Sequence, residues 1–378
     1  KYLEFALEIV EDLDREDGMA PNLIGNSLNG KPIHEWYPDP HKWAKAYEMM
    51  SCVEGMLELY KVNGDNKLLV ASEQFHALLK KYELNILFSV GFNDIFNYGA
   101  SQMNAISEPC DVIHWMRLCH DLFSLTGRKA YLDDFEMAFY NPFLAGIFRD
   151  GKWGARGVRS HGHHYTVFEQ AKFKHNHCCV NNMPRGFTNA ADTMVMADDD
   201  TVYINMYSEF ETVISVDAGK IDLKVSGDYP GSGKVKFVFD AELTCPVKLK
   251  LRIPGWATSS SLIIDGQVSD LGNGDWFEVM LNSGHTEMES VFERELAIRH
   301  HVQPEMTLDW YEMRWVANED IMRDSFRSEP GSTLVYGPLL LARSKYIYNS
   351  ETEMFGPGLP AGFSCSLQPV SSDNVNCA

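Results

Sequence analysis

Two hydrophobic periods divide the chain. Up to about residue 195, apolar side chains recur at three- and four-residue spacing, as in WAKAYEMMSCVEGMLELYKV and DVIHWMRLCHDLFSL, the pattern of helices that bury one face. These helices also repeat. Gly64, Leu69 and Glu73 recur as Gly127, Leu132 and Glu136, each shifted by 63 positions, and Tyr60 answers to Phe123 four residues before each glycine. An αα-hairpin with a glycine at the helix end, recurring at such a period, predicts a helical array or toroid. From about residue 196 the period falls to two: TVYINMY, KIDLKVSG, KVKFVFDA, VKLKLRIPG, SLIIDG and WFEVML alternate apolar and polar residues between turn signals such as DYPGSG. That pattern predicts a β-sandwich. The expected organisation is multi-domain, α then β. Residues 1–196 form the helical domain, 197–345 the β-sandwich and 346–378 a tail, with the boundary in the acidic turn Ala197 to Asp200. STLVYGPLLLAR reads as one further strand.

Composition narrows the function classes. At 378 residues the chain exceeds what one core usually serves, and 45% hydrophobic content with 12% aromatics describes a packed globular protein. The formal net charge of -20 opposes binding to phosphate backbones, so nucleic acid is excluded as an expected partner. No apolar run is long enough to span a membrane. The chain opens with Lys1 inside a running helical pattern, KYLEFALEIVEDL, and reads as a piece of a longer protein; any targeting segment would lie upstream, so compartment stays open.

Eight scattered cysteines do not make the disulfide framework of a small secreted domain, and the adjacent pair Cys178 and Cys179 could bridge only with strain. Metal binding or catalysis gains weight instead. Glu108 and Cys110 in SEPCDVIHW and the pair in HCCVNNMPRGF all stand just before helical patterns. There, unpaired amide donors and the positive end of the helix dipole favour thiolate and carboxylate. Three sulfurs and one oxygen suit tetrahedral zinc. Free cysteines are more often small buried hydrophobes, however, and segments some seventy residues apart match no compact zinc pattern, so spacing alone leans to that plainer reading.

The ordered motifs say more. From His41 to about Arg343 the chain resembles glycoside hydrolase family 127, the β-L-arabinofuranosidase group, as a divergent and N-terminally truncated member. Glu108-Pro109-Cys110 matches its Glu-x-Cys motif, LFSLTGRKAYLDDFEMAFYNPFLAGIFRDGK its continuation and Cys178-Cys179 its vicinal pair, while TVYINMY, LRIPGWA and VYGPLLLAR resemble its β-domain signatures. The resemblance implies a partial (α/α)6 barrel followed by a β-sandwich, about half of the barrel's helices being expected upstream of Lys1. It implies Zn2+ held by Glu108, Cys110, Cys178 and Cys179, with Cys178 also the nucleophile of a retaining glycosidase. The substrate it implies is an oligosaccharide or polysaccharide, from which L-arabinofuranose or a related unusual sugar of plant-type glycans is released.

A retaining glycosidase also needs a general acid opposite its nucleophile, normally a carboxyl. Asp94 is the only carboxylate of FSVGFNDIFNYG, upstream of the Glu-x-Cys motif, and takes that role; beside Asn93 and Gly91 it reads equally as a turn or cap aspartate. His41 aligns with a sugar-contacting histidine of the family and reads equally as a helix-start residue. In HGHHY, residues 161–165, His163 and Tyr165 share one face of an extended segment and are candidates to line the sugar pocket. Val180-Asn181-Asn182 departs from the family's proline-rich continuation, which leaves the identity of the sugar open. Trp115 reads as core; Trp36, Trp43 and Trp153 are candidates for sugar stacking. Two rival readings stand beside this one: a polysaccharide lyase using His and Tyr of HGHHY, and a non-catalytic carbohydrate-binding protein with structural zinc.

Overall fold

The computed structural model describes residues 1–16, 22–36, 45–91, 94, 96, 106–147, 153, 158–159, 178–270, 274–301 and 331–341. Among the described residues seven α-helices come first: α1 (Tyr2–Leu13), α2 (Leu23–Leu28), α3 (Ala46–Asn63), α4 (Asn66–Leu78), α5 (Pro109–Thr126), α6 (Lys129–Ala138) and α7 (Cys178–Met194). The 63-residue repeat has a visible cause. Gly64 and Gly127 close α3 and α5 in the left-handed conformation, with φ of 68° and 66°, and donate their N–H to the carbonyls of Tyr60 and Phe123 at 2.8 and 2.7 Å. Such a cap costs a glycine least. Each turn leads into the second helix of a hairpin, α4 or α6, and each second helix ends in a π-helical turn, Leu79–Glu83 and Phe139–Phe143.

Helix α5 is the axis of this half. It packs against α3, α4, α6 and α7, and its residues Cys110, Ile113, Trp115, Met116, Leu118, Cys119 and Leu122 are fully buried. Trp115 lies stacked on His76, at 4.5 Å between ring centres. Burying each large side chain of this kind contributes about 1.5–3 kcal/mol. Trp36 is also core, 4% exposed, with its indole N–H on the Lys31 carbonyl at 2.7 Å, so it does not face a sugar.

The remaining strands, after the short pair β1 (Ile106–Ser107) and β2 (Val158–Arg159), are β3 (Val195–Ala197), β4 (Thr201–Ile204), β5 (Phe210–Val216), β6 (Gly219–Ser226), β7 (Lys234–Leu243), β8 (Val247–Arg252), β9 (Ser259–Ile264), β10 (Gln267–Asp270), β11 (Trp276–Leu281), β12 (Gly284–Glu293), β13 (Leu296–His301), β14 (Gly331–Tyr336) and β15 (Leu339–Leu341). A six-stranded antiparallel sheet in the order β10-β9-β12-β7-β6-β5 faces a four-stranded sheet in the order β11-β8-β4-β3. The alternation predicted this. Val235, Phe237 and Phe239 of β7 point inward against Leu249 and Leu251 of β8 and Phe277 of β11, all of them fully buried in one sandwich-like core. STLVYGPLLLAR forms two strands rather than one. Gly337, at φ 61°, supplies the left-handed residue that turns β14 back into β15.

The sandwich is bolted to the helices. Arg252, at the end of β8, is fully buried and ion-pairs with Asp133 and Glu136 of α6, each at 2.7 Å. Glu136 also accepts from the Trp256 indole at 2.9 Å and from the Tyr229 hydroxyl. Asn141, in the π-turn after α6, holds the β14–β15 hairpin by donating to the Pro338 carbonyl at 2.9 Å and accepting from the Leu340 N–H at 2.7 Å.

Candidate metal and catalytic site

The four residues singled out by the Glu-x-Cys and vicinal-cysteine motifs converge. One donor atom from each of Glu108, Cys110, Cys178 and Cys179 lies within 4.8 Å of all the others. The sequence does this through two helix starts. Pro109 at the first position of α5 presets the helical φ, so Glu108 becomes the N-cap and Cys110 falls in the first turn. Cys178 and Cys179 open α7, which packs along α5.

The start of α7 is held in a specific way. Pro184 has no N–H and so leaves the carbonyl of Val180 without its helical partner. That carbonyl instead accepts the Trp153 indole N–H at 3.1 Å. Trp153 is therefore a clamp on the cysteine-bearing turn, and its ring packs against the helical core.

Distances decide whether the set fits a cation. A tetrahedral zinc at about 2.3 Å from sulfur and about 2.0–2.2 Å from oxygen requires donors about 3.5–3.8 Å apart. Cys179 Sγ lies 3.3 Å and Cys178 Sγ 3.8 Å from Glu108 Oε1, and the two sulfurs are 4.0 Å apart. These three distances lie near that spacing, and the soft donor set is one that could hold a thiolate-loving divalent metal. Glu108, Cys110 and Cys179 are buried, whereas Cys178 is exposed. One sulfur of the cage faces outward.

Packed against one another, these thiols resist ionisation. Contact with Cys178, followed by burial, pushes the Cys110 thiol above its ordinary range, and contact with Cys110 does the same to Cys179. A central cation reverses this balance by making the thiolate the favoured form. Asn182, one turn along α7, donates its amide to Cys110 Sγ at 3.1 Å and accepts from Arg185 at 3.2 Å. Donation to a ligand sulfur of this kind orients it and tunes its charge.

Asp94 is tied to the first turn of α5, its N–H donating to Asp111 Oδ2 at 3.0 Å. Its φ of 71° is left-handed, a conformation that aspartate adopts at a cost of about 1–2 kcal/mol. Its carboxylate accepts from Lys45 Nζ at 2.5 Å, and its second oxygen, Oδ1, is buried without a hydrogen-bond partner among the described residues. Burial, opposed by the Lys45 hydrogen bond, raises its pKa to about 6, and the charges of Glu48 and Cys178 push in the same direction. His41, His163 and Tyr165, together with Trp43 and the rest of HGHHY, lie outside the described residues.

Sequence reasoning missed Lys45, Asp111 and Asn182. Asp111 alone carried a signal: in the first turn of α5 it begins the stripe continued by Trp115, Leu118 and Leu122, so an acid occupies a core-facing position. Burial, with the charges of Glu108 and Asp94, raises its pKa well above the usual carboxylate range.

Comparison with known proteins places this geometry in a family. The family description "Beta-L-arabinofuranosidase, GH127 catalytic domain" matches residues 12–192, and the GH127 middle-domain description matches residues 201–287. A non-reducing end β-L-arabinofuranosidase of Bifidobacterium longum subsp. longum is 19% identical over 265 residues, which is 65% of this chain and 40% of that protein. A GH127 β-L-arabinofuranosidase from Geobacillus stearothermophilus T6 shares the fold with a TM-score of 0.63 and 18% identity over 90% of this chain and 55% of that one. A solved glycoside hydrolase superposes with a TM-score of 0.65 at 17% identity, covering 90% of this chain and 57% of that one. The chain thus spans about half the length of the relatives it matches. Two family descriptions in the right order, over most of the chain, agree with the shared fold and the converging motifs: the chain belongs to glycoside hydrolase family 127.

Proposed function

We propose that this chain is the C-terminal part of an (α/α)6 catalytic barrel, residues 1–196, with its β-sandwich, residues 197–345, and a tail, 346–378, of a retaining glycosidase. The reaction is release of L-arabinofuranose or a related unusual sugar from plant-type glycans. One observation carries the reading: four soft and anionic donors meet within 4.8 Å of one another, and one of them, Cys178, is exposed. Zinc is the metal this donor set favours, held by Glu108, Cys110, Cys178 and Cys179. When bound, it supplies the positive charge that keeps the thiols ionised.

The chain's own residues do the rest. The Cys178 sulfur attacks the anomeric carbon as the glycosidic C–O bond breaks, and the leaving oxygen takes the proton of Asp94. A glycosyl thioether remains, and Asp94 is left as carboxylate. Water then attacks the same carbon, giving its proton back to Asp94 while the C–S bond breaks. Two displacements retain the anomeric configuration. Asp94 suits both halves of this cycle because its raised pKa of about 6 lets it hold and return a proton near neutrality. His41, His163 and Tyr165 are proposed to contact the sugar.

The test uses the full-length protein with 4-nitrophenyl β-L-arabinofuranoside. One bound zinc per chain and a product of retained configuration are expected, and Cys178→Ser is expected to lower kcat by about 10^4-fold or more, as loss of a nucleophile does elsewhere. Turnover by Cys178→Ser at the wild-type rate, or turnover by wild-type protein free of metal, overturns the reading. Formation of an unsaturated, ultraviolet-absorbing sugar would instead reveal a lyase.

A further inference from the structure

We propose that Asp111 and Lys45 act as positioning residues that clasp Asp94 and fix where its carboxyl stands for proton delivery. The inference rests on the reading of Asp94 as general acid. Asp94 is tied at three of its four polar handles. Its N–H donates to Asp111 Oδ2 at 3.0 Å, its carbonyl accepts the Ala46 N–H that opens α3 at 3.1 Å, and its Oδ2 accepts from Lys45 at 2.5 Å. The fourth, Oδ1, is buried and has no hydrogen-bond partner among the described residues.

The clasp joins two helix starts. Asp111 is fully buried in the first turn of α5, beside Cys110 and three residues beyond Glu108, so the turn that presents two of the metal donors also grips the acid's backbone. Lys45 is the N-cap of α3 and is half exposed, reaching inward to the carboxylate. The left-handed φ of Asp94 directs its N–H at Asp111, and an acceptor fixed in a helix holds a backbone in a conformation that a free loop would leave. Asp111 therefore determines where the carboxylate stands, and Lys45 fixes its rotation by holding Oδ2. General acids act only within hydrogen-bond reach of the departing atom, so both residues bear on proton delivery without touching the sugar.

Leaving groups distinguish positioning from mere stability. A 4-nitrophenolate departs without a proton, whereas an alkoxide needs one. The readout is the ratio of kcat/KM for methyl β-L-arabinofuranoside to that for the 4-nitrophenyl glycoside. Asp111→Leu, which removes the acceptor at similar volume, and Lys45→Met are each expected to lower this ratio by about tenfold or more, against the 10²–10⁴ range of general-acid assistance. Asp111→Asn keeps an acceptor oxygen and is expected to restore the ratio to within about threefold of wild type. Metal content per chain, measured on every variant, monitors the adjacent cage independently of turnover, and half-exposed Lys45 provides a variant that does not disturb the core. An unchanged ratio in Asp111→Leu and Lys45→Met overturns the clasp if Asp94→Asn lowers it. If Asp94→Asn also leaves the ratio unchanged, the general-acid reading falls and takes the clasp with it.

Discussion

At the joint between helices and sandwich, Arg252 meets Asp133 and Glu136, and Lys129 lies 3.6 Å from Asp133. At the heads of α5 and α7, Glu108 meets three sulfurs, with Asp94 and Asp111 close by and Lys45 already engaged by Asp94. Both clusters are largely buried and rich in charge, yet the first sets Arg252 and Lys129 against Asp133 and Glu136, with exposed Asp275 at its edge, while the second gathers mostly acids and thiols. A buried charge without a counterpart costs several kcal/mol, and a fold keeps such a set where a cation or a reacting proton completes it. Balance marks the joint as structural. Imbalance, with an Oδ1 of Asp94 that has no partner among the described residues, supports the proposal that the other cluster is where chemistry enters.

The largest effect is expected at the balanced cluster. Arg252→Leu leaves Asp133 and Glu136 facing each other without their cation and strips the Asn205 carbonyl of the Arg252 Nε donor at 2.6 Å. Removing one partner of a buried pair costs about 3–5 kcal/mol. Urea unfolding should show that loss, while metal content of the protein that remains folded should be unchanged. A cost under about 1 kcal/mol would mean that the two halves do not depend on this joint, and the contrast with the cysteine cluster would lose its basis.

The two clusters also differ in how far the sequence announced them. The convergence of Glu108, Cys110, Cys178 and Cys179 was legible because the roles proposed for them demand rare residue types in fixed local motifs, at helix starts. The αα-hairpins were legible for a similar reason, since Gly64 and Gly127 stand where a left-handed cap must form. Nothing local pairs Arg252 with Asp133, 119 positions away on a helix of ordinary amphipathic pattern. The clasp on Asp94 was hidden too: a backbone N–H and a φ sign leave no trace in residue types, and only the misplaced acid in the α5 stripe hinted at it. The turn inside STLVYGPLLLAR was written in Gly337-Pro338 but outweighed by the apolar run on both sides.

A middle-sized effect separates packing from chemistry within α7. Gly186 lies against α5 and the π-turn after α6: a Cβ there would stand 2.3 Å from Phe143 Cε2 and 3.1 Å from Ile113 Cγ1. Neither neighbour has room to withdraw, because Phe143 and Ile113 are both buried. Overpacking of this sort costs about 1–3 kcal/mol. Relief requires α7 to move away from α5, and that motion separates Cys178 and Cys179 from Glu108 and Cys110. Gly186→Ala is therefore expected to weaken zinc binding at least about tenfold in competition with a chelator, the equivalent of about 1.4 kcal/mol passed from packing to the cage. Unaltered zinc affinity would show that α7 absorbs the methyl elsewhere.

The smallest effect is a slope rather than a loss, and it tests the unbalanced cluster where it meets the proton. The Asp94 carboxyl has its pKa raised to about 6, chiefly because burial disfavours the charged form, with Lys45 pulling the other way. The form that donates a proton to the leaving oxygen is the protonated one, which predominates below that value. For substrates that need the proton, kcat/KM should fall as pH rises through about 6, by about tenfold per unit, or about 1.4 kcal/mol. Lys45→Met removes the opposing cation, so the limb should move to higher pH. For the 4-nitrophenyl glycoside the limb should flatten, because its leaving group departs without help. A limb that is equally steep for both substrates would assign the titration to a group other than the acid, and one that moves to lower pH without Lys45 would mean that the lysine does not act on the Asp94 charge.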